Sequence, residues 1–182
     1  MSRDRRDIRR LALQMLYQMD ACGGGELDEI RESLMTAAED PSGKFEGAWS
    51  VPTVDDPTAH RKAFDIAQGA WETHDEADRL ATEVAPAWPT ARQPAMDRNV
   101  IRLCWYEMTK GGVPPKVAVN EAIELAKEFG TERSAPFLNG VLDKLLRRVL
   151  REGGSANAAT AETPATPDAD EVEHTEYWSS EQ

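Results

Sequence analysis

The chain has little cysteine and little histidine, and it has no long apolar run. Of its 182 residues only Cys22 and Cys104 carry thiols, with no CxxC spacing and no histidine close in sequence, so neither a disulfide framework nor a zinc site is expected. His60, His74 and His174 are scattered, without ligand spacing to one another or to cysteine, which argues against metal binding generally. No stretch approaches the roughly 20 apolar residues of a membrane span, and the leading MSRDRRDIRR is charged where a secretory signal would be apolar. A soluble, cytoplasmic protein with no membrane partner is expected. Gly23, Gly24 and Gly25 are followed by Glu-Leu-Asp and have no Lys-Ser/Thr after them, so they form a flexible turn and not a phosphate loop. Glu72, Asp75, Glu76 and Asp78 cluster where carboxylates favour the start of a helix, and no apolar pocket is apparent to tune them for acid-base chemistry. No catalytic residue, metal or cofactor is expected, and the chain reads as a binding protein.

Its net charge of −12 is unevenly spread. Eight acidic residues and no Lys or Arg follow from Glu152 onward, which leaves 25 acidic against 21 basic residues, a charge of −4, before it. The first ten residues hold five arginines against Asp4 and Asp7. A basic arm at one end and an acidic tail at the other suit an anionic partner and solvent respectively, so an acidic total does not exclude RNA.

Apolar residues at 3.6 spacing dominate what lies between. Ile8, Leu11, Ala12, Met15, Leu16 and Met19 share one side of a helix over about residues 5–21. Leu27, Ile30, Leu34 and Met35 continue as a second helix, and 41–58 turns to Pro, Gly, Ser and Asp as a long surface loop. Two helices follow, through Phe64, Ala67, Ala70 and Trp71, then Ala77, Leu80, Ala81 and Val84. A Pro-rich connector leads to a strongly apolar helix over 96–110, closed by Gly111, Gly112, Pro114 and Pro115. Another helix covers 116–129, and Thr131 can cap a last one whose inner stripe is Leu138, Val141, Leu142, Leu145 and Val149. The expected architecture is all-α, with about seven helices and no strand, in one domain over 1–151. Residues 152–182 are low in complexity and steadily acidic, and are expected to form a disordered tail that could compete with RNA for the arm.

Opposite the apolar stripe of the first helix, Arg3, Arg6, Arg10, Gln14 and Tyr17 lie within about 80° of one another. Guanidinium groups bind phosphate through paired hydrogen bonds, and an exposed ring stacks an unpaired base, so the combination suits single-stranded RNA. Arginine is also electrostatically misplaced at a helix amino terminus, which favours a functional reason for it.

Three stretches carry a more specific resemblance: ALQMLYQ at 12–18 behind the Arg-rich arm, MDRNVIRL at 96–103, and VPPKVAVNEAIELAK at 113–127 running into FGTE at 129–132 and FLNGVLDK at 137–144. In this order they resemble the NusB family of antitermination factors, over residues 3–21 and 96–151. The resemblance implies an all-helical fold in two subdomains and no enzymatic activity. It implies boxA-type leader RNA, a NusE ribosomal protein and the transcription elongation complex as partners, with a role in ribosomal RNA synthesis. It places Arg5, Arg6, Arg9 and Arg10 at phosphate, with Tyr17, Lys116, Phe137 and Asn139 on the RNA surface, and Asp97 and Arg133 towards the protein partner. Two departures weaken the RNA side, because Asp7 and Ile8 interrupt the basic run and Pro115 stands where an aromatic is common. The alternatives are a protein-only helical scaffold that has lost RNA binding, and a NusB-like module of an RNA methyltransferase; the latter is disfavoured because no glycine-rich cofactor loop or second domain is present.

Overall fold

The computed structural model describes residues 3–24, Glu32 and 57–159, with side chains from 5 and up to 151. Six α-helices appear among the described residues: α1 (Arg3–Ala21), α2 (Pro57–Glu72), α3 (His74–Val84), α4 (Ala95–Thr109), α5 (Pro115–Phe129) and α6 (Ser134–Ala159). One turn of 3-10 helix, Thr90–Arg92, interrupts the connector before α4. The helix expected through Leu27 and Met35 lies outside the described residues except for Glu32, as does most of the 41–58 loop. The tail beyond 159 is outside them too.

Helix α4 is the axis of the fold and packs against each of the other five. Its sequence explains why, because Met96, Val100, Ile101, Leu103, Cys104, Trp105 and Met108 are all buried and between them cover most of its circumference. A helix apolar on so many sides is stable only when surrounded. Helices α1 and α2 pair beside α4, as do α5 and α6, and α3 packs against α4 and α6. Leu13, Leu16, Leu80, Leu138, Leu142 and Leu145 are almost wholly enclosed in one continuous core.

The helix ends follow local chemistry. Helix α1 stops at Gly23 and Gly24, both at positive φ, and the Gly24 amide donates to the Met19 carbonyl at 2.9 Å, a left-handed end that glycine adopts without a Cβ clash. Pro115 sits in the first turn of α5, where its missing N–H costs nothing. Thr131 opens the turn into α6, with its amide donating to Ser134 Oγ at 2.9 Å and the two hydroxyls 3.1 Å apart, which is half of a capping box. Gly69 allows the crossing of α2 over α4, since a Cβ there would overlap the Tyr106 ring. The backbone of α6 runs on through Ala159, past Glu152, where the sequence places the start of the tail.

Candidate nucleic-acid interface

The arm is carried by the first turns of α1, and ion pairs fix its neighbours. Arg6 Nε lies 3.7 Å from Glu121 Oε2, and Arg10 Nη2 lies 2.8 Å from Glu128 Oε2. Both partners stand on α5, in the same order along the chain, so α1 and α5 run parallel here. Lys116 precedes Glu121 by more than a turn and therefore lies toward the leading end of the arm, exposed.

Of the predicted strip, Arg6 is exposed, Arg10 and Gln14 are half-buried, and the Tyr17 ring is 37% exposed; Arg5, which the helical wheel places off the strip, is exposed as well. Arg3 belongs to α1, but its side chain is outside the described residues. Asn139 is exposed on α6, while Phe137 is half-buried and packs against the core. Both sit on a helix whose main neighbours are α5 and α4, so they do not continue the strip of α1.

Arg9 corrects the sequence reading. It is 5% exposed, and Nε donates to Glu107 Oε1 at 2.6 Å while Nη1 lies 3.5 Å from Glu121 Oε2. The side chain joins α1, α4 and α5 internally and does not face a ligand. Burial raises the Glu107 carboxyl, and proximity to Arg9 only partly offsets that rise. A signal was available in the helical wheel, where at 100° per residue Arg9 falls about 20° from Leu16, on the margin of the apolar stripe.

Arg10 is different again. Its Nε and Nη2 donate to Glu128 Oε2 at 3.0 and 2.8 Å, and its Nη1 donates to Asp7 Oδ1 at 2.8 Å. The Glu128 hydrogen bond raises the Arg10 pKa further, against a smaller opposing effect of burial. Glu128 lies 118 residues from Arg10 in the chain, and no local pattern in the sequence joins them.

The two residues expected to face a protein partner lie together but are unequally accessible. Arg133 is exposed in the turn before α6. Asp97 is 4% exposed, bonded to the Ser134 side chain, with Oδ1 buried and lacking a hydrogen-bond partner. Burial raises its carboxyl above the ordinary range, and the Ser134 hydrogen bond opposes that only in part. As placed, Asp97 supports the turn that carries Arg133 and does not itself present a carboxylate. No group of three or more His, Cys, Asp or Glu side chains able to hold a metal occurs among the described residues, and none of the described helices is long and apolar enough to cross a membrane.

Comparison with known proteins agrees with this architecture. The family model described as the NusB family matches residues 6–147. The chain is 35% identical over 157 residues to the transcription antitermination protein NusB of Symbiobacterium thermophilum, covering 86% of this chain and 97% of that one. In structure it is similar to T. maritima NusB, with a TM-score of 0.62 at 29% identity over 81% of this chain and 93% of the other. The same fold is found in a crystal structure of antitermination factors NusB and NusE in complex with dsRNA, with a TM-score of 0.60 at 22% identity, covering 81% and 99% of the two chains.

Proposed function

The chain belongs to the NusB family of transcription antitermination proteins, and from that premise we propose that it binds boxA-type single-stranded leader RNA together with a NusE ribosomal protein. It would do so within a transcription elongation complex, supporting ribosomal RNA synthesis. Its work is binding and not catalysis. The observation that carries this reading is the outward strip of α1, where exposed Arg6 leads to the exposed Tyr17, with further exposed cations at Arg5 and at Lys116 on α5, the helix whose Glu121 lies beside Arg6.

In this reading Arg3, Arg5, Arg6 and Lys116 contact phosphate. Tyr17 stacks a base, Phe137 offers a second ring edge, and Gln14 and Asn139 donate and accept at bases or sugars. Arg133 meets the protein partner over the turn supported by Asp97. A protein of the same fold has been crystallised with both NusE and dsRNA, which supports a joint surface for RNA and protein. The test is fluorescence anisotropy of a short boxA-like RNA titrated with this protein, with and without NusE, across several salt concentrations. Four phosphate contacts predict a log-log salt slope near −3, from about 0.7 per contact on a single strand. Tighter binding with NusE at that slope supports the reading, and a duplex of the same sequence binding better would redirect it toward helical RNA.

The second reading, a protein scaffold without RNA binding, is favoured by one observation: Arg6, Arg9 and Arg10 all have carboxylates of the same chain beside them. A folded protein that binds NusE but no RNA at low salt would establish it.

A further inference from the structure

Arg10 lies on the outward strip, yet its guanidinium is occupied on both edges. Nε and Nη2 converge on Glu128 Oε2, and Nη1 is held by Asp7 Oδ1. These are the donors a phosphate would use, because guanidinium recognises carboxylate and phosphate through the same planar fork. The side chains are 22% exposed for Arg10 and 38% for Glu128, so the pair is open to competition from solvent and from an anionic ligand. Glu128 is also badly placed for helix stability, one residue from the end of α5, where the exposed carbonyls disfavour a negative charge. Arg10 compensates for that charge.

Resting on the RNA-binding reading above, we propose that Glu128, assisted by Asp7, is an affinity-limiting residue that occupies Arg10 and withholds it from RNA. The carboxylates stand in for phosphate, and RNA gains a fifth contact only by displacing them. Arg6 is less constrained, with a single longer approach to Glu121, so the restraint is concentrated at one arginine. The arm is thereby set below its full cationic strength by its own fold.

A double-mutant cycle with the same boxA-like RNA tests this, comparing Glu128→Gln in the native background with Glu128→Gln in an Arg10→Ala background. In the native background the substitution should tighten RNA binding about three- to tenfold and steepen the salt slope by about 0.7, one added contact. In the Arg10→Ala background it should change affinity less than about twofold and leave the slope unaltered. Equal gains in both backgrounds would overturn the proposal, since they would mark a diffuse charge effect, and so would no gain in either. NusE binding and far-UV circular dichroism of each variant show that it is folded. If RNA binds but the cycle shows no coupling, this inference fails alone; if none of the proteins binds RNA, the parent reading fails with it.

Discussion

The two ends of α1 carry the same chemistry at opposite depths. At its carboxyl end Asp20 receives Arg98 at 2.6 Å and Arg102 at 2.7 Å, and Arg102 also grips Asp78 at 2.6 Å. Arg102 is buried, with its guanidinium carbon 5.7 Å from the centre of the Trp71 ring, which stacks on His74. At the amino end Arg6 and Arg10 pair with Glu121 and Glu128 in partial contact with water. The interior pairs cannot be exchanged, because stripping one partner leaves a charge in a medium that cannot solvate it. The surface pairs are individually weak and can be traded for a ligand. Depth decides whether an arginine helps to specify the fold or is open to exchange with an anionic ligand.

The most severe way to break that contrast is at Arg102. Arg102→Ala should destabilise the protein by about 3–5 kcal/mol, seen as a lower urea midpoint, because Asp78 loses its cation and Asp20 one of its two. RNA affinity per folded molecule should hardly change. Arg9 sharpens the comparison, since it sits near the basic arm in sequence but inside the protein in space. Arg9→Ala should lower stability by about 2–4 kcal/mol, and a purely RNA-binding phenotype with unaltered unfolding would show that depth had been misjudged as the criterion.

At the exposed end the expectation reverses. Arg6→Glu with Lys116→Glu should weaken RNA binding by roughly tenfold or more at low salt and flatten the salt slope by about 1.4, two contacts on a single strand, with unfolding shifted by less than about 0.5 kcal/mol.

The smallest effect is expected at Asp97. Its folded-state carboxyl is raised by burial, so the folded protein holds that proton more tightly than the unfolded chain, and stability falls as pH rises through the raised value. Asp97→Asn removes this cost. It should be neutral or stabilising by up to about 1 kcal/mol at pH 7, with the advantage vanishing once the pH is below the carboxyl range in both states. Asp20 has the opposite sign. Burial pushes it up, but Arg98 and Arg102 outweigh that and hold it low, so its contribution is lost as pH falls through the lowered value. Urea unfolding of both proteins at pH 7 and below pH 4 separates the two.

Much of the fold was legible where local chemistry and apolar period agree. The glycines and prolines between α4 and α5 marked the stop and the restart, and the stripe of Leu138, Val141, Leu142 and Leu145 is buried as its spacing required. The outward positions of Arg6 and Tyr17 were legible for the same reason, since both follow from one helical wheel. Arg9 was legible only as a residue on the margin of the apolar stripe, and Glu107 and Asp97 were not, because a charged residue is read as exposed until a long-range partner is known. Glu107 is 98 residues from Arg9 in the chain, and no local pattern joins them. Nor did Gly153 and Gly154 end the last helix; the alanines that follow are strong helix formers, and the backbone continues through Ala159.

The two thiols differ as sharply as the two ends of α1. Cys22 is exposed just beyond that helix, whereas Cys104 is wholly enclosed in α4 and burial pushes its thiol far upward. A thiol reagent therefore sees one fast site and one slow site in the same molecule. Modification of Cys22 gives an immediate optical handle far from the basic arm. The pace at which Cys104 follows is a clock for spontaneous opening of the central helix, readable under native conditions without denaturant.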